Sequence, residues 1–191
     1  MSLFSFFGCS QQPTEYHNAD LGIYFRFPEG WKKIKPRRHH QLFTESLALI
    51  ADPSSETTLH VSTLRHLDKF AEGLRIKGEK TEMDPAFSSL DPLAALFFTY
   101  REGLNLAIYE NYRKTINAQA EFSGIKGAEV MEDYKEDGRD VKIRHFIPNK
   151  DTPYKFLWLL VETRGSAANL SSGDIRRIEE SWKWGATERE R

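Results

Sequence analysis

A chain of 191 residues with 39% hydrophobic and 13% aromatic side chains has enough apolar material for one packed domain, and too much for a disordered one. Its 27 basic and 28 acidic residues leave a net charge of −1, so no long-range field draws it to nucleic acid or to an anionic membrane. The one cysteine, Cys9, rules out an internal disulfide and a cysteine zinc site, and no run reaches the roughly 18–20 apolar residues that span a bilayer.

At the N-terminus, Phe7-Gly8-Cys9-Ser10 followed by Gln11-Gln12-Pro13-Thr14 resembles the end of a bacterial lipoprotein signal. There a small residue precedes the cysteine that is acylated, and a polar tether follows. The apolar stretch upstream is shorter than such a leader. Two expectations compete: Cys9 is lipidated and residues 1–14 are an N-terminal segment or tether, or Leu3, Phe4, Phe6 and Phe7 pack on the domain around a buried thiol. Residues 10–20 as a whole read as polar tether.

Ile23-Tyr24-Phe25-Arg26-Phe27 alternates as a strand, and Pro28-Glu29-Gly30 turns it. Trp31 to Ile34 resumes as a short strand. The runs Ser46–Ala51 and Thr57–Leu64, separated by Asp52-Pro53-Ser54-Ser55-Glu56, predict an antiparallel hairpin. Asp68–Ala86 is polar and gives no clear period. Asp91-Pro92 then opens a helix expected to run from Leu93 towards Tyr112, with Gly103 as a candidate end or kink and Leu106–Tyr109 readable as a strand.

Ala128–Lys135 is a strand, and Asp137-Gly138 is a hairpin turn into Asp140–Ile147. In that run Val141, Ile143, His145 and Ile147 face one way, and Lys142, Arg144 and Phe146 the other. Tyr154–Thr163, apolar on both faces, predicts a central strand covered on two sides, with Trp158 and Leu160 buried on one and Leu157 and Leu159 on the other. Ser171-Ser172-Gly173-Asp174 caps a last helix with Ile175, Ile178 and Trp182 on one side; residues 185–191 are a charged tail. The fold class expected is α/β in the α+β sense: an antiparallel sheet covered by helices, an α/β/α sandwich over residues 15–184.

Gly22-Ile23-Tyr24-Phe25-Arg26-Phe27-Pro28-Glu29-Gly30-Trp31 resembles the opening strand of the PsbP-like superfamily, where an apolar strand runs into Pro-x-Gly-Trp. That superfamily includes photosystem-associated PsbP proteins, Ran-binding Mog proteins and bacterial DcrB-like lipoproteins. The order that follows is similar: a hairpin, a helix, a meander of three strands and a last helix. The resemblance implies an α/β/α fold and mostly non-enzymatic roles in binding or assembly. No functional residue is carried over from it.

Motifs for chemistry are sparse. No Gly-x-Ser-x-Gly, no glycine-rich phosphate loop and no cofactor signature occurs. The six histidines (His17, His39, His40, His60, His66 and His145) match no metal-ligand spacing. The acidic run Glu129, Glu132, Asp133, Glu136 and Asp137 lacks a calcium-loop pattern and reads as a solvated hairpin. The basic loop gives the candidate binding residues Trp31, Lys33, Lys35, Arg37 and Arg38.

The leading expectation is a non-enzymatic binding or assembly protein without cofactor or metal. Its partner is a protein or a small ligand, not nucleic acid, and it meets a membrane only through a lipid on Cys9. Acylated, it is membrane-anchored or periplasmic; otherwise it is cytoplasmic. The alternatives are a cytosolic small-ligand or protein-partner module, and an enzyme whose site joins His60, His145 and nearby carboxylates.

Overall fold

The computed structural model of the protein describes residues 14–34, 43–54, 56–78, 82–165 and 172–185. The elements run β1 (Thr14–Asn18), β2 (Ile23–Phe27), β3 (Lys32–Lys33), β4 (Thr44–Ala51), β5 (Thr57–Leu64), α1 (Leu67–Lys77), α2 (Pro92–Ile108), β6 (Glu110–Phe122), β7 (Ile125–Glu136), β8 (Arg139–Pro148), β9 (Leu157–Arg164) and α3 (Gly173–Ser181). A 3₁₀ turn at Pro85–Phe87 leads into α2. Seven strands make one antiparallel sheet, β3-β4-β5-β9-β8-β7-β6, while β1 and β2 pair separately.

Local chemistry sets these elements. Asp137 and Gly138 both take left-handed φ (51° and 75°), as a two-residue turn matched to strand twist requires. That turn fixes the β7–β8 register from Glu136↔Arg139 through to Gly127↔Pro148. At Gly127 a Cβ would stand 2.4 Å from the Ile147 carbonyl oxygen, so only glycine lets the strands approach there. Asp91 caps α2, its Oδ1 accepting the Leu93 N–H at 3.1 Å, and Ser172 caps α3 through the Ile175 N–H.

The sheet is covered on both faces, as the two-sided β9 predicts. Leu157, Leu159 and Val161 pack with Ile23, Phe25, Ile175 and Trp182 under β2 and α3. Trp158 and Leu160 pack with Phe87, Ala95 and Phe98 under α2. The result is an α+β sandwich in which the β1–β2 hairpin shares the α3 layer.

Both sheet edges are blunted. β3 is two lysines long. β6 shifts register between Glu110 and Arg113 and again between Asn117 and Ala120. Asn117 Oδ1 accepts the Gln119 backbone N–H at 3.1 Å, and the Phe122 carbonyl accepts the Trp184 indole N–H at 3.1 Å. Bulges and borrowed partners of this kind discourage strand addition.

Three expectations are corrected and one unassigned stretch is filled. Thr14–Asn18 is not tether: it pairs with β2 and buries Tyr16. The unassigned stretch after His66 holds α1. Helix α2 passes Gly103 unbroken, stops at Ile108 rather than near Tyr112, and gives way to the long β6. Glu132 is not solvated; it is 1% exposed.

Candidate functional site

The densest polar chemistry among the described residues lies inside the core, between α2 and the sheet. Register puts Val130, Glu132 and Tyr134 of β7 on the same face as Val141, Ile143 and His145 of β8. The carboxylate of Glu132 is therefore carried inward by its apolar neighbours. It accepts five hydrogen bonds: Arg101 Nη1 and Nη2 at 2.8 and 3.2 Å, Asn105 Nδ2 at 3.2 Å, the Tyr112 hydroxyl at 2.9 Å and His145 Nε2 at 3.0 Å. Arg101 and Asn105 come from α2 and Tyr112 from β6, so one carboxylate joins four elements.

On the far side of the imidazole the Trp158 indole N–H donates to His145 Nδ1 at 3.0 Å. An indole can only donate, so Nδ1 is the acceptor and the ring proton sits on Nε2, pointing at Glu132. His145 is thereby fixed as one neutral tautomer. Burial, and then the Arg101 charge, push it below the ordinary imidazole value. Burial works against charge on Glu132, but the His145 hydrogen bond and the Arg101 guanidinium outweigh it and hold the carboxyl well below the usual range. Burial, then the neighbouring Glu132, raise the Tyr112 hydroxyl, which stays protonated and donating.

A second cluster sits beside the first. Lys114 Nζ lies 2.5 Å from Glu102 Oε2 and 3.1 Å from Asp84 Oδ2, fastening α2 and the 3₁₀ turn to β6. On the other face, a cavity of about 20 Å³ opens between α3 and the sheet, lined by Leu59, Phe146, Leu159, Ile178 and Trp182 with Arg144 at its polar end. That volume suits a single water rather than a ligand. Arg144 pairs with Glu179 of α3.

The residues expected at a site are scattered. Trp31 does not belong to a surface loop: it is 5% exposed and packs in the core, because its chain turns in after Gly30. Lys33 is exposed, with its ammonium 5.4 Å from the Tyr16 ring centroid. Lys35, Arg37, Arg38 and Cys9 lie outside the described residues, as do His39 and His40. His60 and His145 share a face, but both stand opposite Leu160, which separates them by two strand spacings, ~9.6 Å. His60 Nε2 lies 3.1 Å from the Thr58 hydroxyl. Among the described residues no group of three or more His, Cys, Asp or Glu could hold a metal, and no helix is long and apolar enough to cross a membrane.

The sandwich and its filled polar core define the chain as an α+β domain organised around buried ion pairs. No protein-family model and no curated protein matches the sequence. Among solved structures it is similar to cyanobacterial PsbP from Synechocystis sp. PCC 6803, with 9% identity over 93% of this chain and 95% of that one, and a TM-score of 0.49. It is also similar to LpqN of Mycobacterium tuberculosis, involved in cell envelope biogenesis, with 17% identity over 90% of each chain and a TM-score of 0.40. The likeness concerns chain path, and the functional reading rests on the residues themselves.

Proposed function

We propose that the chain is a non-enzymatic binding or assembly domain. The observation that supports this is the fate of its buried acid and base. Glu132 takes five hydrogen bonds and both His145 nitrogens are engaged. A general base needs a lone pair free to meet a substrate proton, and this pair has none. The cluster therefore serves as scaffold. The binding residues we propose are Lys33, exposed on β3, and Lys35, Arg37 and Arg38, which follow it in the sequence. A segment of this charge on a chain of nearly zero net charge suits a local acidic patch on a protein better than an extended polyanion.

The test replaces all four residues by glutamate and measures binding of a short, labelled, glutamate-rich peptide by fluorescence anisotropy at low and high salt. The reading predicts salt-sensitive binding by the native chain and none by the variant. Equal binding by both would remove the basic segment from the account. The finer reading, a lipid anchor on Cys9, is motivated by Phe7-Gly8-Cys9-Ser10 ahead of β1. It predicts an acylated Cys9 peptide in mass spectra of protein made from its own gene, and loss of the membrane-bound fraction on Cys9→Ser. An unmodified Cys9 peptide would end it.

A further inference from the structure

The two halves of α2 are held to the sheet by different forces. Its first half is anchored by Ala94, Ala95 and Phe98, which are buried and apolar. In the second half the buried residues are Glu102 and Asn105. Around them Leu104, Leu106 and Ile108 remain 44%, 61% and 67% exposed. Arg101 and Asn105 both end on Glu132, and Glu132 is shared with His145. Beside the Lys114–Glu102 pair, the other hold on this half of the helix thus runs through a carboxylate shared with one buried histidine.

We infer that the Glu132–His145 pair is an acid-released catch for the C-terminal half of α2. The groups facing His145 decide how it responds to a proton. Glu132 of β7 receives its Nε2–H, and Trp158 of β9 drives an N–H at its Nδ1. Arg101 of α2 brings a guanidinium nitrogen within 3.5 Å of Nε2. Glu162 of β9 adds a more distant negative charge, and Tyr112 of β6 and Asn105 of α2 reach the far side of Glu132. A second proton has one place to go, Nδ1, where it meets the Trp158 donor head-on. It also sets a second buried cation beside Arg101. The closed arrangement rejects that proton, whereas an open one accepts it near the ordinary imidazole value of about 6.5. Acid therefore favours opening. The neighbouring Glu102, raised by burial against the pull of Lys114, titrates in the opposite sense, so a change confined to His145 isolates the catch.

The test is backbone hydrogen exchange of the full chain as a function of pH, corrected for intrinsic rates. The account predicts that the opening constant of amides in Leu104–Tyr109 rises about tenfold per pH unit below about 6.5. The Val61 and Leu159 amides of the central strands open only on global unfolding, so their constants should stay far below those of the helix amides at every pH. In His145→Gln the side chain can still donate to Glu132 and accept from Trp158 but cannot titrate, so the helix amides should lose the slope. A slope that persists in this variant, helix amides that open no more often than those of the central strands, or no rise in the native chain would overturn the proposal. Trp158→Phe gives a second reading if the glutamine variant does not fold: with the opposing N–H gone the closed arrangement accepts the proton more readily, so the rise should level off at higher pH and span less, and an unchanged span would count against the catch.

Discussion

Under β1, β2 and α3, Phe25 stacks on Trp182 with ring centroids 4.4 Å apart and planes within 3°, and Tyr16, Phe27 and Phe122 complete an aromatic layer. Across the sheet, under α2, comparable burial is given to Glu132 and His145, at 1% exposure each. The first face is held by contact area, which depends little on ionisation. The second joins an apolar cluster under Ala94, Ala95 and Phe98 to charges and directed hydrogen bonds, which fail sharply when one member changes. One sheet therefore carries a mainly aromatic face and a face with a buried acid–base pair in it.

The largest effect that sharpens this contrast is expected at Glu132. Glu132→Gln keeps the shape but leaves Arg101 without its anion, and should cost about 3–5 kcal/mol in urea unfolding at neutral pH. Phe25→Ala on the opposite face should cost a similar ~3–5 kcal/mol. The two differ in their response to acid. Stability of the native chain should fall by about 1.4 kcal/mol per pH unit as pH drops below the unfolded imidazole value of about 6.5, because the unfolded histidine binds a proton that the folded one refuses. Phe25→Ala should retain that dependence, while His145→Gln should flatten it. A Phe25→Ala protein with no pH dependence would break the division between the faces.

A smaller loss is expected at the strand crossing. Gly127→Ala sets a methyl against the Ile147 carbonyl and the Phe146 ring, and should destabilise by roughly 1–3 kcal/mol in thermal or urea unfolding, as overpacking does. An unchanged midpoint would show that the strands can part there. The smallest is Asp91→Ala, which removes the α2 cap and a Lys155 partner. It should cost about 1 kcal/mol and leave the pH dependence as it is, since it acts at the apolar end of the helix.

Much of this architecture is legible in the sequence where a local rule has a strong residue behind it. Asp137-Gly138 marks the hairpin, Asp91-Pro92 and Ser172 mark helix starts, and the two-sided apolar run of β9 announces two covered faces. Helix α1 is not legible because it begins at His66, in a left-handed conformation and without a side-chain cap. Strand β6 hides because a polar edge strand has little to alternate. In β1, Tyr16 is the only apolar side chain, too few for a pattern.

Of the polar core, His145 is legible by its place between Ile143 and Ile147. Glu132 is hidden by the acidic residues around it, although counting back from Asp137-Gly138 puts it in step with Val130 and Tyr134. Arg101, Asn105 and Tyr112 carry no signal, because only the crossing of α2 over β7 brings them to the carboxylate.

The central claim, that the buried pair is scaffold with His145 held neutral, is tested most directly by the ring nitrogen shifts of His145 in an isotope-labelled sample titrated from neutral to mildly acidic pH. The account predicts a protonated Nε2 and an unprotonated Nδ1, unchanged through the range where free imidazole titrates, about 6.5, for as long as the helix stays closed. A folded, closed protein whose His145 becomes imidazolium near that value would contradict it.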